Sequence, residues 1–192
     1  WNAQNSDSRV ARGWGEVPML LQAEHYANPS YQKDFPILCY ESICQKPAQI
    51  VGACFWHSFD HQRGYHPDPY WGGNYDAFRQ PKTAYHMFHS QIPATEGEPT
   101  VYIANEMTQF SDNDVVVFSN CDSVRLSIFD GEMSWTLPVN TYGEADRPYN
   151  APVVFKNVWD FWKAREYSYK GRNWQKVNLL AEGIIDGKVV AT

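Results

Sequence analysis

The stretch 50-IVGACFWHSFDHQRGYHPDPYWGGNYDAFR-79 joins an apolar run of strand length to a long polar and aromatic loop. Residues 50–56 are too few for a capped helix and too continuously apolar for a half-exposed strand, so they predict a parallel strand buried on both faces. The loop after this strand has no helical or strand period and carries three of the six histidines. Because long irregular loops in compact domains usually bind or catalyse, we interpret the stretch as a functional site.

Helical patterns lie on both sides of this stretch. A helix is predicted to begin near residue 15 and to end before Asn28-Pro29, and a second, short helix is predicted over residues 37–45. After the loop, Pro81 opens a third helix over residues 82–91. The order helix, buried strand, long loop, helix is typical of the end of a β/α barrel, in which the loop after the strand lies at the catalytic face.

The hydrophobic period changes beyond residues 92–99, a stretch rich in Pro, Gly and acidic residues that has the character of a linker. Short strands at regular spacing, with Asp-Gly turns after two of them, predict an antiparallel β-sandwich. The predicted strands are residues 100–105, 114–119, 123–129, 153–158, 179–185 and 188–190. The sequence therefore predicts two domains, a barrel end at 1–94 and a sandwich at 95–192.

The composition restricts the partners of the protein. A net charge of −6 and the lack of any Lys/Arg cluster argue against nucleic acid or an acidic membrane as a partner. No apolar run is long enough for a transmembrane helix, and the residues at the start lack a signal-peptide pattern. The four cysteines show no CxxC pair, which favours buried thiols over structural zinc. An aromatic fraction of 16% with eight Trp is typical of proteins that handle carbohydrate.

Two blocks of sequence resemble glycoside hydrolase family 2, the β-galactosidase family. The segment GACFWHSFDHQRGYHPDPYWGGNYDAFRQPKTAYHMFHSQ is similar to the last barrel strand, loop and helix of that family, and DVVVFSNCDSVRLSIFDGE with NLLAEGIIDGKVVAT to its immunoglobulin-like sandwich. WNAQNSDSRVARGWGEVPML is similar to the stretch that follows the seventh barrel strand. The resemblance implies a partial (β/α)8 barrel end followed by an immunoglobulin-like β-sandwich, within a larger parent enzyme.

The resemblance also implies a retaining glycosidase, in which two carboxylates about 5–5.5 Å apart act as acid/base and nucleophile. In this family both glutamates precede the region matched here, so we expect them upstream of Trp1 and assign no catalytic residue within the chain. Glu16, Glu24 and Glu41 lie in helix-like segments rather than directly after a strand, which favours a solvated surface role for each.

Seven residues are predicted to bind substrate. The resemblance places Trp56 at the floor of the sugar pocket, with a core Trp as the alternative. His57 and Asp60 follow the strand and are expected to bond sugar hydroxyls or to orient the catalytic carboxylates, with a structural cap as the alternative. Polar and stacking side chains in the loop complete the predicted set, with a self-packed loop as the alternative: His61, Arg63, Tyr65 and His66.

The end of the loop is predicted to be structural. Gly72-Gly73 permits a tight turn that returns the chain to the helix, and Asp76 with Arg79 is expected to form an internal ion pair.

A metal site is the third interpretation of the loop, since His57, His61 and His66 stand near Asp60 and Asp68. We disfavour it because Pro67 and Pro69 leave no regular scaffold for zinc ligands at helical spacing. No metal or cofactor is predicted.

We expect the chain to contribute a pocket wall and a support domain to an exo-glycosidase that hydrolyses β-galactosides, and to be inactive alone. The alternatives are a non-catalytic carbohydrate-binding or structural module, and a family 2 enzyme acting on β-glucuronides or β-mannosides. The expected partners are a carbohydrate substrate and the rest of the parent chain, with neither nucleic acid nor membrane. The sequence leaves the cellular compartment open, with a periplasmic or secreted parent compatible with the resemblance.

Overall fold

The computed structural model describes residues 16–27, 57–62, 64, 70–142, 149–171 and 176–192. The chain divides into two compact units, one formed by Trp1–Phe88 with Tyr142–Tyr149 and the other by His89–Thr141 with Asn150–Thr192. The division into a barrel end at 1–94 and a sandwich at 95–192 concerns fold families and stays a prediction. The predicted helix at 37–45 and buried strand at 50–56 lie outside the described residues.

Two helices and a set of isolated bridges make up the described part of the first unit. Helix α1, Glu16–Ala27, ends directly before Asn28 as predicted, and buries Ala23 completely. Helix α2, Thr83–His89, begins two residues after Pro81, in line with the third predicted helix. Between the helices, Phe59 bridges Tyr75 in parallel, and His61 bridges Tyr70 antiparallel.

The second unit is built from two antiparallel sheets, with strand orders β1-β2-β7 and β4-β3-β8-β9, while β5 pairs with β6. The strands are β1 Val101–Ile103, β2 Val115–Ser119, β3 Ser123–Ile128, β4 Met133–Pro138, β5 Thr141–Tyr142, β6 Tyr149–Asn150, β7 Val153–Phe155, β8 Leu179–Ile185 and β9 Lys188–Ala191. Helix α3, Phe161–Gly171, lies between β7 and β8 in sequence. The described chain is thus mostly antiparallel sheet with few helices, which is consistent with the predicted β-sandwich; the barrel end stays a prediction.

One apolar core joins the two sheets. In β3, where Ser127 is also buried, the apolar side chains of Val124, Leu126 and Ile128 are fully buried. They meet the buried side chains of the other sheet in a single cluster, whose remaining members are Val115, Val117, Phe129, Val139, Val153, Phe155, Val158, Trp159, Ala164 and Ala181. Burial of an apolar row from each sheet is the reason that these two sheets pack face to face.

The observed turns match the sequence-based prediction more closely than the first and last residues of the strands do. Asp186 and Gly187 both have positive φ, at 50° and 73°, between β8 and β9. This is the conformation of a two-residue type I′ hairpin turn, which Asp-Gly adopts at low cost. Within the described residues, no helix is long and apolar enough to cross a membrane.

Four elements are absent from the sequence-based prediction, namely strands β4, β5 and β6 and helix α3. Strand β4 was missed because MSWTLP is short and ends in Pro138, and all its residues are exposed to some degree. Helix α3 was missed because its aromatic residues favour strands by propensity. Its signal was Asp160, whose carboxylate Oδ1 accepts hydrogen bonds from the N–H groups of Trp162 at 3.0 Å and Lys163 at 3.1 Å, as an N-cap does.

Candidate functional site

Three of the seven predicted site residues, His57, Asp60 and His61, lie within the described part of the chain. Trp56, Arg63, Tyr65 and His66 lie outside it, so their roles stay predictions. The three described residues do not form one cluster. His57 and His61 face each other, whereas the carboxylate of Asp60 is bonded to other parts of the loop.

The two imidazoles are oriented by one carbonyl group. Nδ1 of His57 lies 3.0 Å from the backbone oxygen of Phe59, and Nδ1 of His61 lies 3.3 Å from the same oxygen. A carbonyl can only accept, so this contact assigns the proton of His61 to Nδ1 and leaves Nε2 as its acceptor nitrogen. Nδ1 of His57 lies 3.3 Å from the Phe59 N–H as well, which can only donate, so these contacts orient the His57 ring without assigning its tautomer.

Tyr70 completes what we call the aromatic cluster, formed by His57, His61 and Tyr70. The ring centroids of His57 and His61 are 4.7 Å apart, and Tyr70 lies 5.0 Å from His61 and 6.2 Å from His57. Paired backbone hydrogen bonds between His61 and Tyr70, at 2.8 and 3.2 Å, hold the two sides of the loop together. All three side chains are half-buried. The cluster therefore combines apolar ring faces with hydrogen-bonding nitrogens and a hydroxyl, the combination that suits a sugar ring.

Asp60 forms a buried ion pair on the other side of the loop backbone. Lys82 Nζ lies 3.2 Å from both carboxylate oxygens and donates to the carbonyl of Trp71 at 2.7 Å. The N–H of Gly73 donates to Asp60 Oδ1 at 2.8 Å. This network gives Asp60 the structural capping role that the sequence left open. Substrate binding by Asp60 stays an untested prediction.

Burial sets the electrostatics of this pair. Loss of solvation raises the pKa of Asp60, while attraction to Lys82 and the Gly73 N–H oppose the rise. Burial likewise lowers the pKa of Lys82, against the attraction of the Asp60 carboxylate. Both pKa shifts disfavour the charged forms of Asp60 and Lys82. The hydrogen bonds between the two side chains offset this cost of burial and hold the pair together.

Gly73 is required by the close approach of the two loop strands. A Cβ at this position would lie 2.4 Å from the Asp60 nitrogen and 2.6 Å from the Tyr75 carbonyl oxygen, both of them backbone atoms. Nothing short of backbone movement can relieve such contacts. The Gly72-Gly73 pair, interpreted in the sequence as a tight return, thus allows a backbone approach that fixes Asp60.

Asp76 and Arg79, which the sequence suggested as an internal ion pair, have other partners. Asp76 Oδ1 accepts hydrogen bonds from the N–H groups of Phe78 at 2.7 Å and Gln80 at 2.8 Å. The Arg79 guanidinium carbon lies 3.6 Å from the centroid of the Phe59 ring. The predicted ion pair is wrong because local backbone N–H groups bind the carboxylate and a ring face attracts the cation.

Sequence reasoning missed two polar groups in this unit. The side-chain oxygens of Gln22 and Asn74 are buried with no hydrogen-bond partner among the described residues, although Gln22 donates to the Trp71 carbonyl at 3.0 Å. Neither residue carries a sequence signal, because α1 and the loop are brought together only by folding. Among the described residues, no group of three or more His, Cys, Asp or Glu is arranged to hold a metal ion. His66 and Asp68 lie outside these residues, so the metal interpretation is not tested.

Proteins of similar sequence and structure indicate the family to which this chain belongs. A scan against models of known protein families finds no match. A β-galactosidase from Thermoanaerobacter pseudethanolicus is 30% identical over 157 residues, covering 74% of this chain and 19% of the relative. A β-glucuronidase structure from glycoside hydrolase family 2 matches with a TM-score of 0.50 and 18% identity, covering 96% of this chain and 16% of that one. The chain is a glycoside hydrolase family 2-like segment.

The 30% identity to a β-galactosidase confirms the resemblance to glycoside hydrolase family 2 that the sequence shows. A β-glycosidase structure from Bacteroides vulgatus is also similar, with a TM-score of 0.49 and 21% identity over 71% of this chain and 15% of that one. The family 2-like segment spans about a fifth of the length of the curated β-galactosidase, 19%. The likeness to the β-glucuronidase concerns fold alone, because the identity of 18% is low.

Proposed function

We propose that the chain is part of a retaining family 2 exo-glycosidase that hydrolyses β-galactosides, and that the aromatic cluster is part of the wall of its sugar pocket. The observation that carries the proposal is the common orientation of His57 and His61 by the Phe59 carbonyl, beside Tyr70. The 30% identity to a β-galactosidase supports the reaction class and the choice of galactoside.

The roles proposed for this chain and for the rest of the parent enzyme follow from the chemistry of glycoside hydrolysis. A retaining enzyme needs two carboxylates flanking the glycosidic bond. Of the residues described here, Asp60 is neutralised by Lys82 and Asp76 accepts two backbone hydrogen bonds, so neither presents a carboxylate suited to that role. The proposal therefore places bond cleavage on glutamates elsewhere in the parent enzyme and gives this chain substrate binding and support.

A direct test compares three substrates in the parent enzyme. Nitrophenyl β-galactoside, β-glucuronide and β-mannoside are assayed with the parent and with its His61→Ala variant. We expect the galactoside to have the highest kcat/KM, and His61→Ala to lower that kcat/KM by about 10–100-fold, because one sugar hydrogen bond is lost. His86→Ala is the matched control, since the His86 ring packs beside Tyr85 and outside the cluster.

Each alternative gives a different result. A preference for the glucuronide or mannoside would retain the glycosidase and reject the galactoside. Unchanged kinetics of His61→Ala would reject the aromatic cluster as a pocket wall. The 192-residue chain alone is expected to give no turnover, and hydrolysis by the pure chain would show that a catalytic carboxylate lies within it. Sugar binding without turnover by the parent itself would favour a non-catalytic module.

A further inference from the structure

One face of helix α3 exposes large aromatic side chains. Trp162, Arg165 and Tyr169 follow one another at spacings of three and four residues, which places them on one side of the helix. Trp162 is 65% exposed and Tyr169 74% exposed. The guanidinium carbon of Arg165 lies 5.6 Å from the Trp162 ring and 5.5 Å from the Tyr169 ring. The cation thus stands between two exposed rings.

This face borders a groove, which we call the α3 groove, with a volume of about 510 Å³. It is lined by Arg165, Ser168 and Tyr169 of α3, by Glu106 of the segment between β1 and β2, by the buried Trp159 and by apolar side chains, but not by Trp162. The volume falls within the range of small-molecule sites, about 300–1,000 Å³. The groove belongs to the second unit and shares no residue with the aromatic cluster.

Both sides of the α3 groove are fixed by hydrogen bonds. Trp159 Nε1 donates to the carbonyl of Thr108 at 3.3 Å, and the Trp159 N–H donates to the carbonyl of Asn113 at 2.9 Å. The side chain of Asn105 accepts from the Met107 N–H at 2.9 Å. Together with the Asp160 cap of α3, these bonds hold the groove in shape before any ligand arrives, which reduces the entropy lost on binding.

The chemistry of the lining restricts the occupant. The groove offers flat ring faces, the donor Arg165, the acceptor Glu106 and the hydroxyl of Ser168. An apolar peptide face would bury Arg165 and Glu106 without partners, at a high cost. Because one acidic and one basic side chain line the groove, a strongly charged ligand would meet a like charge as well as an opposite one, while a neutral polyhydroxylated ring can stack on an aromatic face and bond to both groups.

We propose that the α3 groove is a second carbohydrate-binding site, which binds a neutral oligosaccharide by stacking on Tyr169 and by hydrogen bonds to Arg165 and Glu106, while Trp162, on the same face of α3 but outside the groove lining, stacks on a further sugar unit. Such a site would hold a polymeric or oligomeric saccharide on the second unit, separately from the pocket in which a terminal sugar is cleaved. The proposal does not depend on the galactosidase activity, because it concerns other residues and a binding step alone.

The experiment is isothermal titration calorimetry of the whole 192-residue chain with β-1,4-galactotetraose, cellotetraose and a galacturonic acid tetramer. We expect saturable binding of at least one neutral tetramer and weaker binding of the acidic one. Trp162→Ala and Tyr169→Ala are each expected to lower that affinity by about tenfold, the scale of one lost stacking contact. Both side chains are exposed, and circular dichroism checks that the variants are folded. Trp162→Leu and Tyr169→Leu, which keep apolar bulk on α3, replace any variant that is not.

The controls remove exposed aromatic rings outside the α3 groove. Trp135→Ala removes another partly exposed Trp of the same unit, on β4, and should leave binding unchanged. Phe78→Ala removes a largely exposed ring of the first unit, outside the aromatic cluster, and should also leave it unchanged. The proposal is overturned if no neutral tetramer binds, if the acidic tetramer binds more tightly, or if the Trp162 and Tyr169 variants bind as the original chain does. Those outcomes leave the glycosidase proposal standing.

Discussion

Lys82 and Asp60 form an ion pair in which the ammonium lies 3.2 Å from both carboxylate oxygens, with each side chain only 2% exposed. The pair joins the residue just before helix α2 to the loop that carries His57 and His61. Because a buried ion pair costs solvation on both sides, its main effect is to specify one arrangement of these segments. The position of the aromatic cluster thus depends on the Asp60–Lys82 ion pair, which is not part of the cluster.

Removing one partner of this pair should be strongly destabilising. Lys82→Met leaves the Asp60 carboxylate buried without a counter-charge, and we expect a loss of about 3–5 kcal/mol of unfolding free energy. Urea denaturation of the 192-residue chain measures the loss. The double variant Asp60→Asn/Lys82→Met should regain part of it, because no charge stays buried. Lys170→Met is the control for an exposed ion pair and should have little effect, since Lys170 and its partner Glu166 are largely exposed.

Gly73→Ala should distort the loop, because the new methyl group would meet backbone atoms of Phe59, Asp60 and Tyr75 at 2.4–2.6 Å. We expect a loss of about 1–3 kcal/mol or more, the usual scale of overpacking. Thermal melting measures the loss. The matched control is Gly64→Ala, at a glycine whose added Cβ would have no atom of the described residues within 4 Å. Equal melting temperatures for the two variants would contradict the observed packing at Gly73.

A second glycine tests the sandwich core. A Cβ at Gly183 in β8 would lie 2.5 Å from the Sγ atom of Cys121. Gly183→Ala should therefore destabilise the chain by about 1–3 kcal/mol. In the double variant Cys121→Ala/Gly183→Ala the obstructing sulfur is gone, so part of the loss should be recovered. A double-mutant cycle from urea titrations measures this coupling, and strictly additive effects would show that the two residues do not compete for space.

Carboxylates of the second unit should make the chain acid-sensitive. The hydrogen bond from Arg125 lowers the pKa of Glu182 below its ordinary value of 4.5, and the hydrogen bond from Lys156 lowers that of Asp114 below 3.8. A folded-state pKa below the unfolded one contributes stability above the unfolded pKa, and this stability is lost as pH falls through the folded pKa. Unfolding free energy should then decline as pH falls below about 4.5.

Glu182→Gln provides the matched variant for this acid sensitivity. The amide keeps an acceptor for Arg125 but cannot titrate, so the variant should lose less stability between pH 5 and pH 3 than the original chain. Urea titrations at about pH 7, 5 and 3 give both profiles. If the variant and the original chain lose the same stability between pH 5 and pH 3, Arg125 does not bind ionised Glu182 more strongly than neutral Glu182.

Local patterns were sufficient for six of the nine described strands and for the last hairpin turn. Residues 123–129 were predicted as a strand and form β3, and Asp186-Gly187 predicted a hairpin turn. They were insufficient for α3, whose aromatic side chains favour strands and whose helix depends on the Asp160 cap and on packing of Ala164 and Trp159 in the core. Intrinsic preference is a weak signal when tertiary contacts oppose it.

The sequence of the loop determined that polar and aromatic side chains would gather after residue 56, but not which of them would meet. His57 and His61 were predicted as site residues, and folding places both on the Phe59 carbonyl. Tyr70 packs with them because it pairs with His61 in an antiparallel β-bridge, which no local sequence pattern predicts. Asp60 stands between the two histidines in sequence, yet its carboxylate binds Lys82.

By itself, the sequence determined the family likeness, six of the nine described strands, the last hairpin turn and the stretch in which to look for a site. These depend on residue types and on spacings along the chain, which are local properties. Only the tertiary structure decided that Asp60 is a buried partner of Lys82 and that Tyr70 packs with the two histidines. It also decided that Trp162 and Tyr169 are exposed beside a groove while Trp159 is buried. The physical reason is that burial and pairing depend on contacts between distant residues, which chain order does not specify.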